Sequence, residues 1–366
     1  MHIPDGYLSP TTCAVAYAAA APFWYVALNR VKRLMQSRVV PLLAVVSAFC
    51  FVIMMFNLPI PGGTTAHAVG MGVAAIVLGP WAAILAISIA LAIQALFFGD
   101  GGITAFGANC LNMAIVGSLV AYGTYHLISA RAALDSPRRI VAAAIAGYLA
   151  INVAAFLAAL EFGIQPILFT DATGAPLYAP YSLRVAIPAM MLAHLTIAGL
   201  AEAIVSGGIV AYLQRANPAL LRMTAGFTVG PAAAPDTIAV AGGWRGTRPL
   251  WIGLGALMVI SPLGLLAAGL AWGEWGPEDF ANPETRAQIA QTSGNVAPPE
   301  HLPQGLEHLS SIWTAPMPDY APAFMHDANF GYIMSAVIGA GLILLVFSGL
   351  SWLFSRGSAG RDHRVA

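Results

Sequence analysis

The chain has 366 residues, of which 58% are hydrophobic and 9% are charged, and its formal net charge is zero. A soluble domain carries about 25% charged residues, so this chain has too few charges to cover a water-facing surface. Its apolar runs recur at roughly the 20 residues that a helix needs to cross a bilayer. The composition predicts an integral membrane protein, and the zero net charge gives no reason to expect nucleic-acid binding.

Residue 2 is a histidine, which has a specific consequence for metal chemistry if the mature chain begins at Met1. We expect that start because a signal peptide needs a positive region before its apolar stretch, whereas residues 1–6 (MHIPDG) carry an acid and a turn. The Met1 amine and the His2 amide nitrogen can close a five-membered ring around a metal. The same amide nitrogen and His2 Nδ1 can close a six-membered ring. Three nitrogens then share a plane with one position open, which favours Ni(II) or Cu(II).

Nine apolar segments are predicted to be membrane spans. Gly79-Pro80 separates the third span from the fourth, because proline breaks the helical hydrogen-bond ladder and the residue before it avoids the helical region. The spans cover approximately residues 11–29, 39–57, 66–78, 80–98, 107–127, 140–160, 185–213, 250–272 and 330–354. The predicted fold class is an all-α, polytopic membrane helix bundle.

The basic residues predict the orientation of these spans. With the amino terminus outside, fourteen of the sixteen lysines and arginines fall on the cytoplasmic side, and only Arg184 and Arg286 fall outside. This distribution follows the positive-inside rule, and merging the third and fourth spans would destroy it. We expect a multi-pass protein of the cell membrane with its amino terminus outside and its carboxyl terminus in the cytoplasm.

The third span has about 13 residues, too few to cross the hydrocarbon alone. Irregular backbone is tolerated at membrane depth only where protein or water surrounds it, so residues 58–67 are expected to dip into the bundle from outside. This loop ends at His67, on the same face as the amino terminus. Its imidazole could complete a square-planar set with Met1 and His2. A single loop histidine is more often polar surface, so the residues alone leave both interpretations open.

Other polar residues are candidates for supporting roles. Asn109 and Asn112 lie one helical turn apart, and they could support the metal site or only join two helices. Metal-bound imidazoles need outer hydrogen-bond partners, so Asn109 ranks first, and Thr65 in the loop is a further candidate. His194 and Glu202 lie within the seventh span, where ionisable groups are costly and often functional. A structural role with asparagine or backbone partners is the preferred interpretation for these two.

A domain boundary is predicted after the seventh span. Residues 224–248 are rich in glycine, proline and alanine, a composition typical of a flexible linker. We predict a metal-binding seven-span module at 1–223, a cytoplasmic linker at 224–248 and a two-span accessory module at 249–366. The accessory module includes a polar extracytoplasmic loop at 273–329.

Several enzyme classes lack their motifs in this sequence. The chain has one lysine, Lys32, and no G-x-x-x-x-G-K-[ST] motif, so it carries no P-loop ATPase site. H-E-x-x-H and G-x-S-x-G are also absent, so no membrane protease or esterase is predicted. An ATP-driven importer would need partner subunits. The alternative is a stand-alone secondary permease for transition metals, coupled through His194 and Glu202.

Residues 1–10 (MHIPDGYLSP) resemble the opening of the CbiM/NikM family. These proteins are the substrate-binding components of energy-coupling factor transporters for cobalt and nickel. The resemblance covers roughly residues 1–223. It continues through residues 62–67 (GGTTAH), 78–81 (LGPW) and 94–109 (QALFFGDGGITAFGAN).

The resemblance implies a ligand set and a group of partners. The Met1 amine, the His2 amide and ring, and the His67 ring would hold the metal, and this sequence matches the family at each of these positions. Ni(II) or Co(II) would be the transported ion, and no resident cofactor is implied. The implied partners are a membrane coupling component, known as the T component, and a pair of ATPase subunits, all working in the lipid bilayer.

The second module resembles the N-type accessory component that is fused to some family members. Residues 303–307 (PQGLE) are similar to its Pro-Asp-Gly-Leu-Glu signature, with Gln304 in place of the aspartate. The rest of the likeness is carried by residues 261–267 (SPLGLLA), 271–275 (AWGEW), 313–320 (WTAPMPDY) and 330–333 (FGYI).

Overall fold

The computed structural model of the protein describes residues 1–35, 39–222, 243–267, 269–321 and 323–362. Most of the predicted linker, residues 224–242, lies outside the described residues, and the next helix begins at Trp244. Arg38 and Arg364, which contribute to the predicted orientation, also lie outside them.

Nine helices in the described part of the chain match the nine predicted spans in position. They are α1 (Pro10–Met35), α2 (Val40–Met54), α3 (Met71–Leu78), α4 (Pro80–Phe98), α5 (Phe106–Ser129), α6 (Pro137–Leu168), α7 (Leu183–Ala216), α8 (Trp244–Leu266) and α9 (Ala328–Asp362). Seven of them are long and apolar enough to cross a membrane, and α2 and α3 are shorter. The prediction of an all-α polytopic bundle is confirmed.

The third predicted span, residues 66–78, is helical only from Met71 onwards, and all eight residues of α3 are buried. The chain before it forms an antiparallel hairpin of β1 (Leu58–Ile60) and β2 (Thr64–Ala66), where we expected irregular backbone. Gly70 then turns the chain into α3 with a left-handed φ of 81°, a conformation that glycine adopts without steric cost. The helix is therefore shorter than predicted because a hairpin and a turn use the preceding residues.

The centre of the bundle is built from α2, α3 and α4. α3 packs against α4, α5, α6 and α7, while α2 packs on its other side against α8 and α9. Small residues permit this close approach. A Cβ atom at Gly72 would lie 2.2 Å from Ser206 Oγ and 3.1 Å from the Gly147 Cα atom. The buried position of α3 therefore depends on a glycine where three helices meet.

Loops gather at one end of the bundle, which we call the site end. It comprises residues 1–9, 58–70, 99–105, 169–182 and 269–321. Backbone hydrogen bonds join these segments: the Gly102 N–H donates to the Ile3 carbonyl, and the Ala179 N–H donates to the Tyr7 carbonyl. The amino terminus is thereby tied to two loops of the first module.

Residues 273–321 of the second module fold over the other segments of the site end rather than extend as a loop. Trp272 and Trp275 pack against the Tyr181 ring of the first module, and the Tyr7 hydroxyl donates to the Trp275 carbonyl at 2.8 Å. Its short helices are Pro277–Ala281, Pro283–Thr292 and Gln304–Leu309. The second module thus covers the amino terminus of the first.

Glu202 of α7 holds the start of α3. Its carboxylate accepts hydrogen bonds from the backbone N–H groups of Val69 (2.7 Å), Gly70 (2.8 Å) and Gly72 (3.2 Å). A helix amino terminus has unpaired N–H groups and favours a negative charge. This buried contact fixes the segment that immediately follows His67.

Replacing Glu202 with alanine should therefore destabilise the protein. It leaves three buried N–H groups without their acceptor, and a single such group costs about 1–3 kcal/mol. We expect the free energy of unfolding of Glu202→Ala to fall by at least that amount in a denaturation series in detergent. The exposed Glu300 gives a matched control, and Glu300→Ala should be as stable as wild type. A Glu202→Ala protein of unchanged stability that has lost transport would instead support the permease alternative.

Candidate metal site

The first residues of the chain are folded back into the bundle. Met1 is 3% exposed and His2 is 1% exposed. Asn109 holds the next residue on both sides: the Ile3 N–H donates to Asn109 Oδ1 at 2.8 Å, and Asn109 Nδ2 donates to the Ile3 carbonyl at 3.0 Å. The side chain of Asn109 therefore positions the backbone directly after His2.

Asp5 anchors the same segment to the loop that precedes α5. Its carboxylate accepts hydrogen bonds from the N–H groups of Ile103 at 3.1 Å and Thr104 at 2.7 Å, and from the Thr104 hydroxyl. The two segments approach so closely at Gly102 that a Cβ atom there would lie 2.4 Å from the Asp5 nitrogen. Glycine is therefore required at this contact.

The two histidines proposed from the sequence lie side by side. The ring centroids of His2 and His67 are 5.1 Å apart with an interplanar angle of 28°, and both side chains are buried. His67 Nδ1 lies 3.0 Å from the carbonyl of Ala68, whereas His67 Nε2 and His2 Nε2 have no hydrogen-bond partner. A buried polar group without a partner is costly, so these nitrogens suit a metal ion.

Burial also sets the protonation of His67. It lowers the pKa of His67 well below the ordinary value, because a charged imidazolium is costly away from water, and the nearby His2 and Met1 amine act in the same direction. The ring is therefore neutral at physiological pH, which is the form that binds metals.

Asp100 supplies a negative charge beside the histidines. Its Oδ1 lies 2.9 Å from His2 Nδ1. Its Oδ2 accepts hydrogen bonds from Gln94 Nε2 (3.0 Å) and the Tyr320 hydroxyl (2.6 Å). Burial raises the pKa of Asp100, but His2 and His67 oppose this and hold it well below the ordinary value.

The Met1 amine forms an ion pair with a residue of the second module. Its nitrogen lies 3.1 Å from Glu274 Oε1. Met1 is buried, and a buried charge needs a partner of opposite sign. The second module therefore contributes two residues to this region, Glu274 beside the amine and Tyr320 on Asp100.

No three side chains of His, Cys, Asp or Glu in the described parts of the chain come together in a set that could hold a metal ion. Any metal held between His2 and His67 must therefore take further ligands from elsewhere. The amine and the amide nitrogen of the amino terminus are the available nitrogen donors.

The other candidates from the sequence have separate partners. Thr65 is buried in β2 and pairs with Ala271 of the second module, so it supports the hairpin before His67. Asn112 donates to Glu161 Oε2 at 2.6 Å and not to the amino-terminal segment that Asn109 holds.

His194 and Glu202 form hydrogen bonds with separate partners. His194 Nδ1 lies 2.8 Å from the Met190 carbonyl, one turn earlier in the same helix, and its Nε2 has no hydrogen-bond partner. Glu202 binds the start of α3, as described above. Glu202 therefore helps to fix the position of His67 indirectly, through the backbone at the start of α3.

Sequence reasoning missed Asp100, Glu274 and Tyr320. Asp100 follows a long apolar run and precedes two glycines, a pattern typical of an ordinary turn. Its position within the longest family-like stretch was the signal that could have identified it. Glu274 and Tyr320 have no comparable signal, because their contacts arise from the packing of the second module on the first.

Comparison with protein families identifies both modules. Residues 2–220 match the CbiM family, described as the cobalt uptake substrate-specific transmembrane region. Residues 247–356 match the PDGLE domain. The resemblance drawn from the sequence is confirmed for both modules.

Similar proteins include full-length relatives with the same two-module organisation. The chain is 60% identical to a fused nickel transport protein NikMN of Rhodobacter capsulatus, over 94% of this chain and 95% of that protein. It is 43% identical to a probable fused nickel transport protein LarMN of Lactiplantibacillus plantarum, over 96% of this chain and 97% of that protein.

A solved structure is similar to the first module. A crystal structure of a truncated transition metal transporter shares 54% identity with a TM-score of 0.55, covering 58% of this chain and 98% of that one. The region that matches the CbiM family, residues 2–220, contains His2, His67 and Asn109. The chain therefore belongs to the CbiM family of nickel and cobalt transport proteins, with a PDGLE domain fused behind its transmembrane region.

Proposed function

We propose that this chain captures Ni(II) or Co(II) from outside the cell in a four-nitrogen site and presents it for ATP-driven import. The observation that carries the proposal is the pair of buried imidazoles, stacked 5.1 Å apart beside a buried amino terminus. The four donors are the Met1 amine, the His2 amide nitrogen, His2 Nδ1 and His67 Nε2. Nitrogen ligands in a square plane favour Ni(II) among these ions, and Co(II) can occupy the same plane.

The contacts of His67 support this choice of donor atom. Its Nδ1 faces the Ala68 carbonyl, so Nε2 is the nitrogen free to bind the ion. A metal-bound histidine usually donates its other ring N–H to a carbonyl or carboxylate, which fixes the orientation of the ring. Glu202 holds the backbone on the far side of Ala68.

The charges around the site also suit a divalent cation. Binding through the His2 amide nitrogen displaces its proton and adds one negative charge to the ligand set. The carboxylate of Asp100 adds a second negative charge beside His2. These two negative charges balance the two positive charges of the ion. Glu274 pairs with the Met1 ammonium, which must lose a proton before its nitrogen can bind the metal.

Import from this site requires subunits that the chain does not contain. It has no P-loop motif, so we propose an energy-coupling factor complex with a membrane T component and two ATPase subunits. The amino terminus would face outward and the carboxyl terminus the cytoplasm of the cell. The secondary-permease alternative would use His194 and Glu202, but the three backbone hydrogen bonds to Glu202 favour a structural role.

Metal binding should require a free amine at Met1. One extra residue before Met1 removes the five-membered chelate ring and shifts the six-membered one, so such a protein should lose tight binding. Metal content per chain, measured after purification in neutral detergent, tests this. The same residue added after Ala366 is the control and should leave the stoichiometry unchanged. Full retention by the amino-terminally extended protein would place the metal elsewhere.

The two histidines should differ in their effect on affinity. His2→Ala removes the ring that closes the six-membered chelate and should abolish tight binding. His67→Ala leaves three planar donors that water can complete, so weak binding should survive. The loss of affinity in His67→Ala should still exceed the ~10–100-fold loss that follows removal of an outer hydrogen-bond partner. Isothermal titration with Ni(II) measures both variants.

A triple variant provides the control for these substitutions. His301, His308 and His326 are exposed in the second module, and their joint replacement by alanine should leave the equilibrium affinity unchanged. Equal affinities for wild type, His2→Ala and His67→Ala would refute the proposed ligand set.

Binding should release more than one proton per metal ion. The His2 amide and the Met1 ammonium must both lose a proton, and metal binding couples to both events. His67 contributes little, because its lowered pKa keeps the ring neutral. Apparent affinity should therefore rise with pH between about 6 and 8. Titrations in buffers of different ionisation enthalpy measure the proton count.

The bound Ni(II) should also be diamagnetic with a visible d–d band, as square-planar coordination requires. An octahedral, paramagnetic ion, or binding without proton release at pH 7, would contradict the four-nitrogen site.

A further inference from the structure

A cavity of about 570 Å³ lies at the junction of the two modules, away from the histidines. Its walls come from α2, α3 and α7 of the first module and from α8 of the second. The lining residues include Phe49, Tyr212, Arg248, Ile252, Gly253 and Leu257. A volume of this size is typical of a small-molecule site, for which the range is roughly 300–1,000 Å³.

The lining is apolar except at one end. Valine, leucine, isoleucine and phenylalanine side chains form most of it, and Arg248 supplies the only charged side chain among the lining residues. No carboxylate of the described residues forms an ion pair with Arg248. The cavity therefore offers an apolar channel with a positive charge at its end.

One side of the cavity reaches the outer surface of α8. Ile252 lines it and is 64% exposed on a helix long and apolar enough to cross a membrane. The first turns of α8 have the composition of a membrane interface. Trp244 stacks on Trp251 with centroids 5.7 Å apart, and Arg245 lies between these two residues in the sequence. Aromatic and basic residues concentrate at that level of the bilayer.

The depth of the cavity matches one leaflet. From Arg248 to Leu257 the helix rises by about 14 Å at 1.5 Å per residue. Half the hydrocarbon core of a bilayer is about 15 Å. A chain that starts at the level of Arg248 and follows α8 therefore ends near the middle of the membrane.

We infer that this cavity binds one anionic phospholipid, with its phosphate at Arg248 and an acyl chain along α8 between the two modules. Basic pockets between transmembrane helices bind anionic headgroups, and the charge of Arg248, which has no carboxylate partner among the described residues, gives this pocket the same preference. The lipid fills the gap between α7 of the first module and α8 of the second. It therefore stabilises their association as a third component of the interface.

A helix from a partner protein fits the cavity less well. An acyl chain is narrower and needs no polar partner along its length. The single arginine at one end matches a lipid headgroup.

Native mass spectrometry of the full-length chain with added phospholipid tests the inference. Wild type should bind phosphatidylglycerol about fivefold or more tightly than phosphatidylcholine, since one arginine near the surface contributes about this factor. Arg248→Ala should remove the preference for the anionic lipid. Gly253→Leu should remove binding of both lipids, because a side chain there projects into the open space of the cavity.

Two matched variants on the same helix serve as controls. Gly255 also has open space where a Cβ atom would stand, but it does not line the cavity, so Gly255→Leu should bind lipid as wild type does. Arg245→Ala removes a charge outside the lining and should keep the preference. A thermal melting temperature equal to that of wild type in detergent verifies the fold of every variant separately.

Equal binding of the two lipids by wild type would overturn the inference, as would undiminished lipid binding by Gly253→Leu. Either of these two contradicting results is expected if a partner helix or the chain's own linker, rather than a lipid, occupies the cavity. The outcome does not depend on the nickel measurements, because the cavity and the histidines share no residue.

Discussion

The burial of the amino terminus is the constraint on which the arrangement of the site end depends. An amino group carries a charge that is costly to remove from water, yet Met1 is almost completely buried. Glu274 compensates this charge from the second module, and Asn109 compensates the polar backbone of Ile3 from the first. The first three residues are therefore enclosed by polar partners from both modules.

The same requirement explains why the second module is folded over the first. Its tryptophans and its Tyr320 supply apolar cover and hydrogen bonds at positions that the first module leaves open. Fusion of the two modules in one chain keeps Glu274 close to Met1 at a fixed ratio of one to one. The full-length relatives in Rhodobacter capsulatus and Lactiplantibacillus plantarum share this arrangement.

Buried charge also explains the polar residues inside the bundle. A carboxyl group in a span is unusual, and the sequence left ion coupling open for Glu202 while favouring a structural role with asparagine or backbone partners. Its three N–H partners at the start of α3 give it a structural explanation instead. α3 is too short to span the membrane, and its start lies inside protein, so a side chain from α7 replaces the water that would otherwise bind its N–H groups.

The sequence by itself determined the helical bundle, both families and the approximate positions of the nine apolar helices in the described part of the chain, and the family resemblance led to the proposal that His2 and His67 act together. Hydropathy and proline positions are local properties, and the family motifs are contiguous. Only the tertiary structure decided the hairpin before α3 and the roles of Asp100 and Glu274. Glu274 lies 273 positions from Met1 along the chain, and Asp100 becomes a neighbour of His2 only after Asn109 holds Ile3. Such contacts depend on how distant segments pack, because a polar residue has no distinctive local pattern until its partner is known.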